Sequence, residues 1–140
     1  MIKKLCLYAV ISTSLICIVS LSISAQDKRL SSGPQAFQTF FAKFMAAVKR
    51  GDKAAVASMS QFPLTYGFDA GDEGKYSRQQ FVKKGFTNIF GKKPTTFLPE
   101  KDPLLWIVGR DYTITTDSAE HISFAKHGKA FLFTSYVVEP

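Results

Sequence analysis

Apolar residues recur at helical spacing in three stretches of the chain. The first stretch, residues 33–51, runs GPQAFQTFFAKFMAAVKRG, with Phe37, Phe40, Phe41, Phe44, Met45 and Val48 three or four positions apart. This spacing predicts an amphipathic helix of about three turns that starts near Pro34 and ends at Gly51. Asp52 then has the position of an N-cap for a shorter second helix, KAAVASMSQF. A stripe of phenylalanines at this spacing indicates a buried core face.

The third helical stretch, SRQQFVKKGFTNIF, carries its own start and stop signals. Ser77 and Gln80 have the spacing of a capping box, and Gly91 suits the left-handed position that ends a helix. Tyr76 can pack against Phe81 at the start of this helix. The pattern predicts that Val82, Phe86, Ile89 and Phe90 continue the buried stripe.

The remaining stretches read as strands. FPLTYGF follows the second helix, where Pro63 ends the helical pattern, and DAGDEGKY then predicts a surface loop or hairpin tip. After residue 103 come LLWIVG, DYTITT, AEHISFAK and KAFLFTSYVV, which are rich in aromatic and β-branched residues. The order helix, helix, strand, helix, strand meander predicts an α+β fold with an antiparallel sheet.

The first 25 residues have the layout of a secretory signal peptide. Lys3 and Lys4 precede an uncharged run, and small residues close it near Ser24 and Ala25. An uncleaved membrane anchor is the alternative, because the run is long enough to span a bilayer, but its many serines weaken that reading. We therefore predict a signal peptide over 1–25, a disordered linker over 26–32 and one domain over 33–140. The protein is then exported, periplasmic or secreted, with no stable membrane insertion after cleavage.

Cysteine and charge exclude several classes of site. Cys6 and Cys17 both lie inside the predicted signal peptide, so the mature chain has no disulfide and no thiol ligand. Without Lys3 and Lys4, 16 basic side chains stand against 11 acidic ones, a net charge near +5. The lysines fall at predicted helix ends rather than among stacking aromatics, which argues against nucleic-acid binding. Two histidines give no metal-ligand pair, so we predict no metal and no cofactor.

The stretches KRGD, FPLTY and SRQQFVKKGFTNIF, with the terminal meander, resemble small exported members of the nuclear-transport-factor-2-like superfamily. The resemblance covers essentially all of the mature chain. It implies a cone-shaped curved antiparallel sheet packed around a long N-terminal helix, with two further helices. It also implies that any enzymatic site would be an Asp or His base inside the cone facing a tyrosine or second acid. The superfamily contains isomerases, dehydratases and many binding domains, so the fold alone does not select a function.

The candidate pocket residues are the aromatic residues of the predicted strands and one histidine. They are Tyr66, Phe68, Trp106, Tyr112 and His121, and the alternative is that the aromatics are simply core. His121 shares a strand face with Ser123 and Ala125, which fits either a base at a pocket wall or a solvated histidine. No carboxylate stands alone in an apolar strand, and no serine-nucleophile or phosphate-loop motif is present.

These observations predict an exported, non-catalytic cone-fold domain that binds a small apolar or amphipathic ligand, or serves as an accessory protein of the envelope. The alternative is an isomerase or dehydratase with His121 as base. Strand alternation in KAFLFTSYVV puts Phe131 and Phe133 on one face and Leu132 and Tyr136 on the other. Because neither face is polar, we also predict a homodimer through the sheet.

Overall fold

The computed structural model describes residues 26–68, 71–94 and 101–139. The predicted signal peptide, including both cysteines, lies outside these ranges. Within them, no helix has the length and apolarity needed to cross a membrane. The described chain has an α+β fold in which three helices pack on a mixed sheet of seven strands.

The first and third helices agree closely with the sequence pattern, but the second is shorter than predicted, because Ser60, Gln61 and Phe62 belong to a strand. α1 spans Gln35–Lys49, and α2 spans Lys53–Ser58. α3 consists of three successive pieces: an α-helical turn Arg78–Gln80, a π-helical segment Phe81–Gly85 and an α-helical end Phe86–Phe90. The side chain of Asp52 caps α2 by accepting a hydrogen bond from the amide of Ala55 at 2.9 Å.

The capping box predicted for α3 is confirmed. The amide of Gln80 donates to the Ser77 hydroxyl at 3.2 Å, and the amide of Ser77 donates to the Gln80 side-chain oxygen at 2.8 Å. Gly91 ends the helix at a φ of 79°. Val82, by contrast, is exposed, so its placement in the buried stripe was wrong. The π-helical segment has more residues per turn than an α-helix, so it changes which side chains face the core. A pattern based on α-helical spacing does not predict this change.

The seven strands are β1 Gln26–Arg29, β2 Ser60–Gly67, β3 Glu73–Tyr76, β4 Leu104–Val108, β5 Asp111–Thr115, β6 Glu120–His127 and β7 Ala130–Val138. Their order across the sheet is β1-β4-β5-β6-β7-β2-β3. β4 to β7 form the predicted antiparallel meander. The all-antiparallel prediction was wrong at one junction, because β2 lies parallel to β7. A long connection through β3, α3 and the meander separates β2 from β7, which is what a parallel pair requires.

Residues 26–32 were predicted to be a disordered linker, and they are ordered instead. β1 pairs antiparallel with β4 and forms one edge of the sheet. A 3-10 turn, Leu30–Ser32, follows, and the amide of Leu30 donates to the carbonyl of Pro103 at 3.0 Å. The polar composition of this stretch suits an edge strand because one side of such a strand faces water.

A bulge in β7 decides which residues face the helices. Ser123 of β6 pairs with Ser135, but Phe124 pairs with Phe133, so Thr134 is an extra residue on β7. Simple alternation therefore fails beyond the bulge, and Tyr136 is buried on the same face as Phe133. The prediction that Tyr136 lies on the face opposite Phe131 and Phe133 was wrong for this reason.

Candidate functional site

The space between α1 and the sheet is filled by side chains. The ring of Phe124, which is fully buried, lies 5.2 Å from the ring centre of Phe44 and 5.5 Å from that of Phe37. Tyr112 belongs to this packing, since its ring centre lies 4.8 Å from Phe37 and 5.1 Å from Phe131. Tyr112 is therefore a core residue, as the alternative interpretation of the aromatics held.

Tyr66 and Phe68, the first two candidate pocket residues, do lie together. Their ring centres are 5.3 Å apart, and Tyr66 stacks on Tyr76 at 4.2 Å with an interplanar angle of 18°. Phe68 reaches the ring of Tyr136 at 5.9 Å. Asn88 donates to the Tyr76 hydroxyl at 3.0 Å, which fixes the ring against α3. These contacts make the group a packed aromatic cluster at the end of β2.

Trp106 is on the other side of the sheet. Its neighbour Leu105 is fully buried, whereas Trp106 is 37% exposed and pairs with Thr113 on β5. The side that carries Leu105 faces the helices, so the side that carries Trp106 faces away from them. The expectation that Trp106 shares a pocket with Tyr66 or Tyr112 was therefore wrong.

His121 also faces away from the helices, because its neighbour Ile122 is fully buried. Its Nδ1 lies 3.1 Å from the hydroxyl of Thr115, and its Nε2 lies 3.4 Å from a carboxylate oxygen of Glu139. The Glu139 side chain is 66% exposed, so this pair is well solvated. The arrangement corresponds to the solvated strand histidine, and it removes the geometric support for His121 as a base inside a cone.

A carboxylate–phenol pair lies on the helix-facing side of the sheet, and the sequence pattern did not reveal it. The hydroxyl of Tyr136 donates to Glu120 Oε1 at 2.6 Å, and the hydroxyl of Thr116 donates to Glu120 Oε2 at 3.1 Å. Burial of the phenol and the adjacent carboxylate together raise the pKa of Tyr136 well above its usual range. Only the β7 bulge turns Tyr136 toward Glu120, so regular alternation could not have paired them.

In the part of the chain that the structure describes, a hollow lies beside α1. We call it the main groove, and its volume is about 810 Å³. Its walls are formed by Leu30, Phe41, Met45 and Pro103, with the small side chains of Ala42 and Ala46 exposed along α1. A volume of this size, with mostly apolar walls, is within the range of small-molecule sites. None of the five predicted pocket residues lines it.

Polar groups at one end of the main groove are already bonded to each other. Both oxygens of Asp102 accept from Ser31, one from its amide at 2.9 Å and one from its hydroxyl at 2.7 Å. These bonds hold the pKa of Asp102 below its usual range, and the nearby Arg29 acts in the same direction. The side-chain amide of Gln38 donates to the carbonyls of Gly33 at 2.7 Å and Ser31 at 3.2 Å. The polar groups at this end are thus hydrogen-bonded to one another.

Two lysines complete the lining of the main groove. They are Lys49, in the last turn of α1, and Lys101, next to Asp102. The groove could therefore hold an apolar body with a polar or anionic end. Within the part of the chain that the structure describes, no cluster of three or more metal-ligating side chains forms.

No family model matches the chain, and no curated protein matches it. Two solved structures are similar to it at low identity. A DUF4783 family protein from Bacteroides ovatus is 13% identical, with a TM-score of 0.42, over 71% of this chain and 94% of that one. The second structure is described as a calcium/calmodulin dependent protein kinase II association domain from Xanthomonas campestris, and it is 16% identical. Its TM-score is 0.43, over 79% of this chain and 91% of that one.

Proposed function

We propose that this protein is an exported, non-catalytic domain of the cone fold, with its curved sheet wrapped around α1 as the long N-terminal helix. In this proposal it binds a small apolar or amphipathic ligand, or serves as an accessory protein, in the cell envelope or outside the cell. The main groove is the observation that carries the proposal. It is open and mostly apolar, whereas the space between α1 and the sheet is filled by phenylalanine rings.

The groove replaces the predicted aromatic residues as the site of binding. Tyr66, Phe68 and Tyr112 are engaged in ring packing, so a ligand would have to break those contacts to enter between them. A ligand in the main groove needs no such rearrangement, because Ala42 and Ala46 leave space beside the helix. A preformed site of this kind binds without the free-energy cost of opening the core.

Two measurements on the mature chain, residues 26–140, test whether it binds a ligand. Native mass spectrometry of protein purified from the envelope fraction of its host should show an added mass that organic solvent removes. Small apolar and amphipathic compounds should also raise the melting temperature, since ligands that bind only the folded state stabilise it. Failure of both measurements across a broad set of compounds would overturn ligand binding.

Export has its own test. The N-terminal residue of the protein recovered from the envelope or the medium should lie just after Ser24 or Ala25. Recovery of the intact chain in the membrane pellet would instead favour the uncleaved anchor.

A second candidate function is an isomerase or dehydratase-like enzyme, and the pair formed by Glu120 and Tyr136 is the observation that favours it. A carboxylate and a phenol on the helix-facing side of the sheet are the types of group that the resemblance implies for such chemistry. However, Tyr136 is 4% exposed and its hydroxyl donates its hydrogen bond to Glu120, so it is not free to polarise a substrate carbonyl. Turnover of an enolisable ketone that is lost in the Glu120→Gln variant would bring this function ahead of ligand binding.

A further inference from the structure

A second hollow lies on the opposite flank of α1, between that helix and the β6–β7 hairpin. Its volume is about 430 Å³, and we call it the basic groove. Its apolar lining consists of Phe40, Met59, Phe131 and Leu132. The rings of Phe40 and Phe131 form the aromatic wall, with their centres 5.5 Å apart and their planes 34° apart.

The ionisable groups in the lining of the basic groove all have the same sign. Lys43 projects from α1 and Lys129 from the turn between β6 and β7, and no acidic residue of the described chain lines the hollow. The ammonium group of Lys126 lies 5.9 Å from the ring centre of Phe131, on the same aromatic wall. Among the described residues, none of these three lysines forms an ion pair.

The hydroxyl groups beside the lysines are already bonded within the protein. The Ser58 hydroxyl donates to the carbonyl of Ala55 at 2.7 Å, and the Thr39 hydroxyl oxygen lies 3.5 Å from the side-chain amide of Gln35, from which it accepts. The Thr39 hydroxyl hydrogen and the lysine ammonium groups are therefore the donors left to meet a ligand, and only the lysines carry charge. Three cations around an apolar hollow are complementary to a molecule with an apolar body and an anionic head.

We propose that the basic groove binds a free single-chain amphiphile with an anionic head, such as a medium-chain fatty acid. Its carboxylate lies between Lys43 and Lys129, and its alkyl chain lies on Phe40 and Phe131. A free molecule is favoured over a membrane surface because the apolar residues line an open hollow between α1 and the β6–β7 hairpin rather than a protruding face. This inference goes beyond the proposed function, since it concerns a second site, and it stands even if the main groove binds nothing.

The test follows backbone amide signals of the mature chain by NMR during titration with sodium decanoate below its micelle concentration. Signals of Thr39, Lys43 and Leu132 should shift and saturate with one shared dissociation constant, whatever response Ala42 and Ala46 show in the main groove. Decanol, which has the same chain without the charge, should bind at least tenfold more weakly. Added salt should weaken decanoate binding, because it screens exposed charges.

A matched pair of variants separates the two grooves. In each double variant one lysine of α1 and one exposed loop lysine become glutamate, so the change in net charge is the same. Lys43→Glu with Lys129→Glu should weaken decanoate binding, measured at Thr39 and Leu132, at least tenfold. Lys49→Glu with Lys101→Glu changes only the main groove, so it should leave binding measured at those two residues within twofold. Circular dichroism melting curves confirm that both variants fold.

Three results would overturn the proposal. The first is equal binding of decanol and decanoate. The second is an equal loss of binding in both double variants. The third is association with vesicles of anionic phospholipid when no decanoate binding occurs, which would indicate a membrane surface as the partner.

Discussion

The hydroxyl of Tyr136 donates a 2.6 Å hydrogen bond to the carboxylate of Glu120, across the helix-facing side of the sheet. The bond connects the last part of β7 to the first residue of β6. It depends on the extra residue Thr134, because without the bulge the Tyr136 side chain would project from the opposite side of the sheet. The bulge at Thr134 thus determines both that Tyr136 is buried and that it bonds to Glu120.

The Tyr136→Phe variant should be less stable than the natural chain by about 1–2 kcal/mol, the usual range for losing a hydrogen bond to a charged group that another donor still partly satisfies. Thr116 remains as that second donor to Glu120. Urea unfolding of the mature chain measures the change. Tyr112→Phe is the matched control, because Tyr112 is also buried but its hydroxyl has no hydrogen-bond partner among the described residues. Equal losses in the two variants would contradict this account of the pair.

Burial of Tyr136, together with its bond to Glu120, predicts how stability depends on pH. The pKa of Tyr136 is raised in the folded protein, so the folded state keeps the phenol protonated where the unfolded state, with a tyrosine pKa near 10, ionises. The contribution of this group to stability is therefore complete below about pH 10 and is lost as the pH rises above that value. Urea unfolding at pH 9 and pH 11 should show a smaller loss of stability in Tyr136→Phe than in the natural chain. An identical loss in both would mean that the phenol does not carry this dependence.

Gly85 should not tolerate alanine, although alanine is the better helix former. A Cβ atom at Gly85 would lie 2.7 Å from the ring of Tyr76, which is itself stacked on Tyr66. The gain in helix propensity is about 1 kcal/mol, and the cost of overpacking a filled site is about 1–3 kcal/mol, so we expect net destabilisation. Thermal unfolding measures it. Combining Gly85→Ala with Tyr76→Leu should remove much of the alanine penalty, and strictly additive losses would argue against the clash.

Substitution of Trp106 should affect the stability of a single chain and the formation of a dimer to different extents. Because 37% of its surface is exposed, Trp106→Ser should lower the free energy of unfolding of a single chain by only about 1–2 kcal/mol, although the side chain is large. By contrast, Leu105→Ala next to it should cost about 2–5 kcal/mol, because Leu105 is fully buried.

The proposed homodimer through the sheet gives Trp106 a further role. Trp106 and Val108, 37% and 49% exposed, lie on the side of the sheet that faces away from the helices, so a second copy would cover them there. Light scattering at micromolar concentration should give the dimer mass for the natural chain and a lower mass for Trp106→Ser. A monomer mass for both proteins would contradict the predicted dimer. Phe131 and Phe133 are unsuitable for this test because both are buried in the core.

The local elements of the fold follow from the sequence to a large extent, since their signals are local. The Ser77 and Gln80 capping box, the Asp52 cap and the apolar stripe of α1 depend on residues within one or two helical turns. The parallel pairing of β2 with β7 and the bulge at Thr134 depend instead on contacts between distant parts of the chain. Alternation in a strand also cannot tell which side meets the helices, which is why Trp106 was misplaced.

The candidate site was less predictable for the same reason. The main groove is formed where the 3-10 turn at Leu30 and the segment at Pro103 meet one flank of α1. Those residues are far apart in sequence, and Ala42 and Ala46 are notable only because they are small. The aromatic residues that stand out in the sequence are mostly those that fill the core, since large apolar side chains contribute most to burial.

The central claim is that a ligand binds beside α1 and not between α1 and the sheet. NMR of methyl-labelled mature chain, with the compound that most raises the melting temperature, tests it most directly. The account predicts shifts at the methyl groups of Ala42, Met45 and Ala46, and none at Ile114 or Ile122. It also predicts that Ala46→Trp abolishes binding. The control variant Ala54→Trp, on the exposed face of α2, should bind normally. Shifts concentrated at Ile114 and Ile122, with binding unchanged in Ala46→Trp, would place the ligand inside the core and contradict the account.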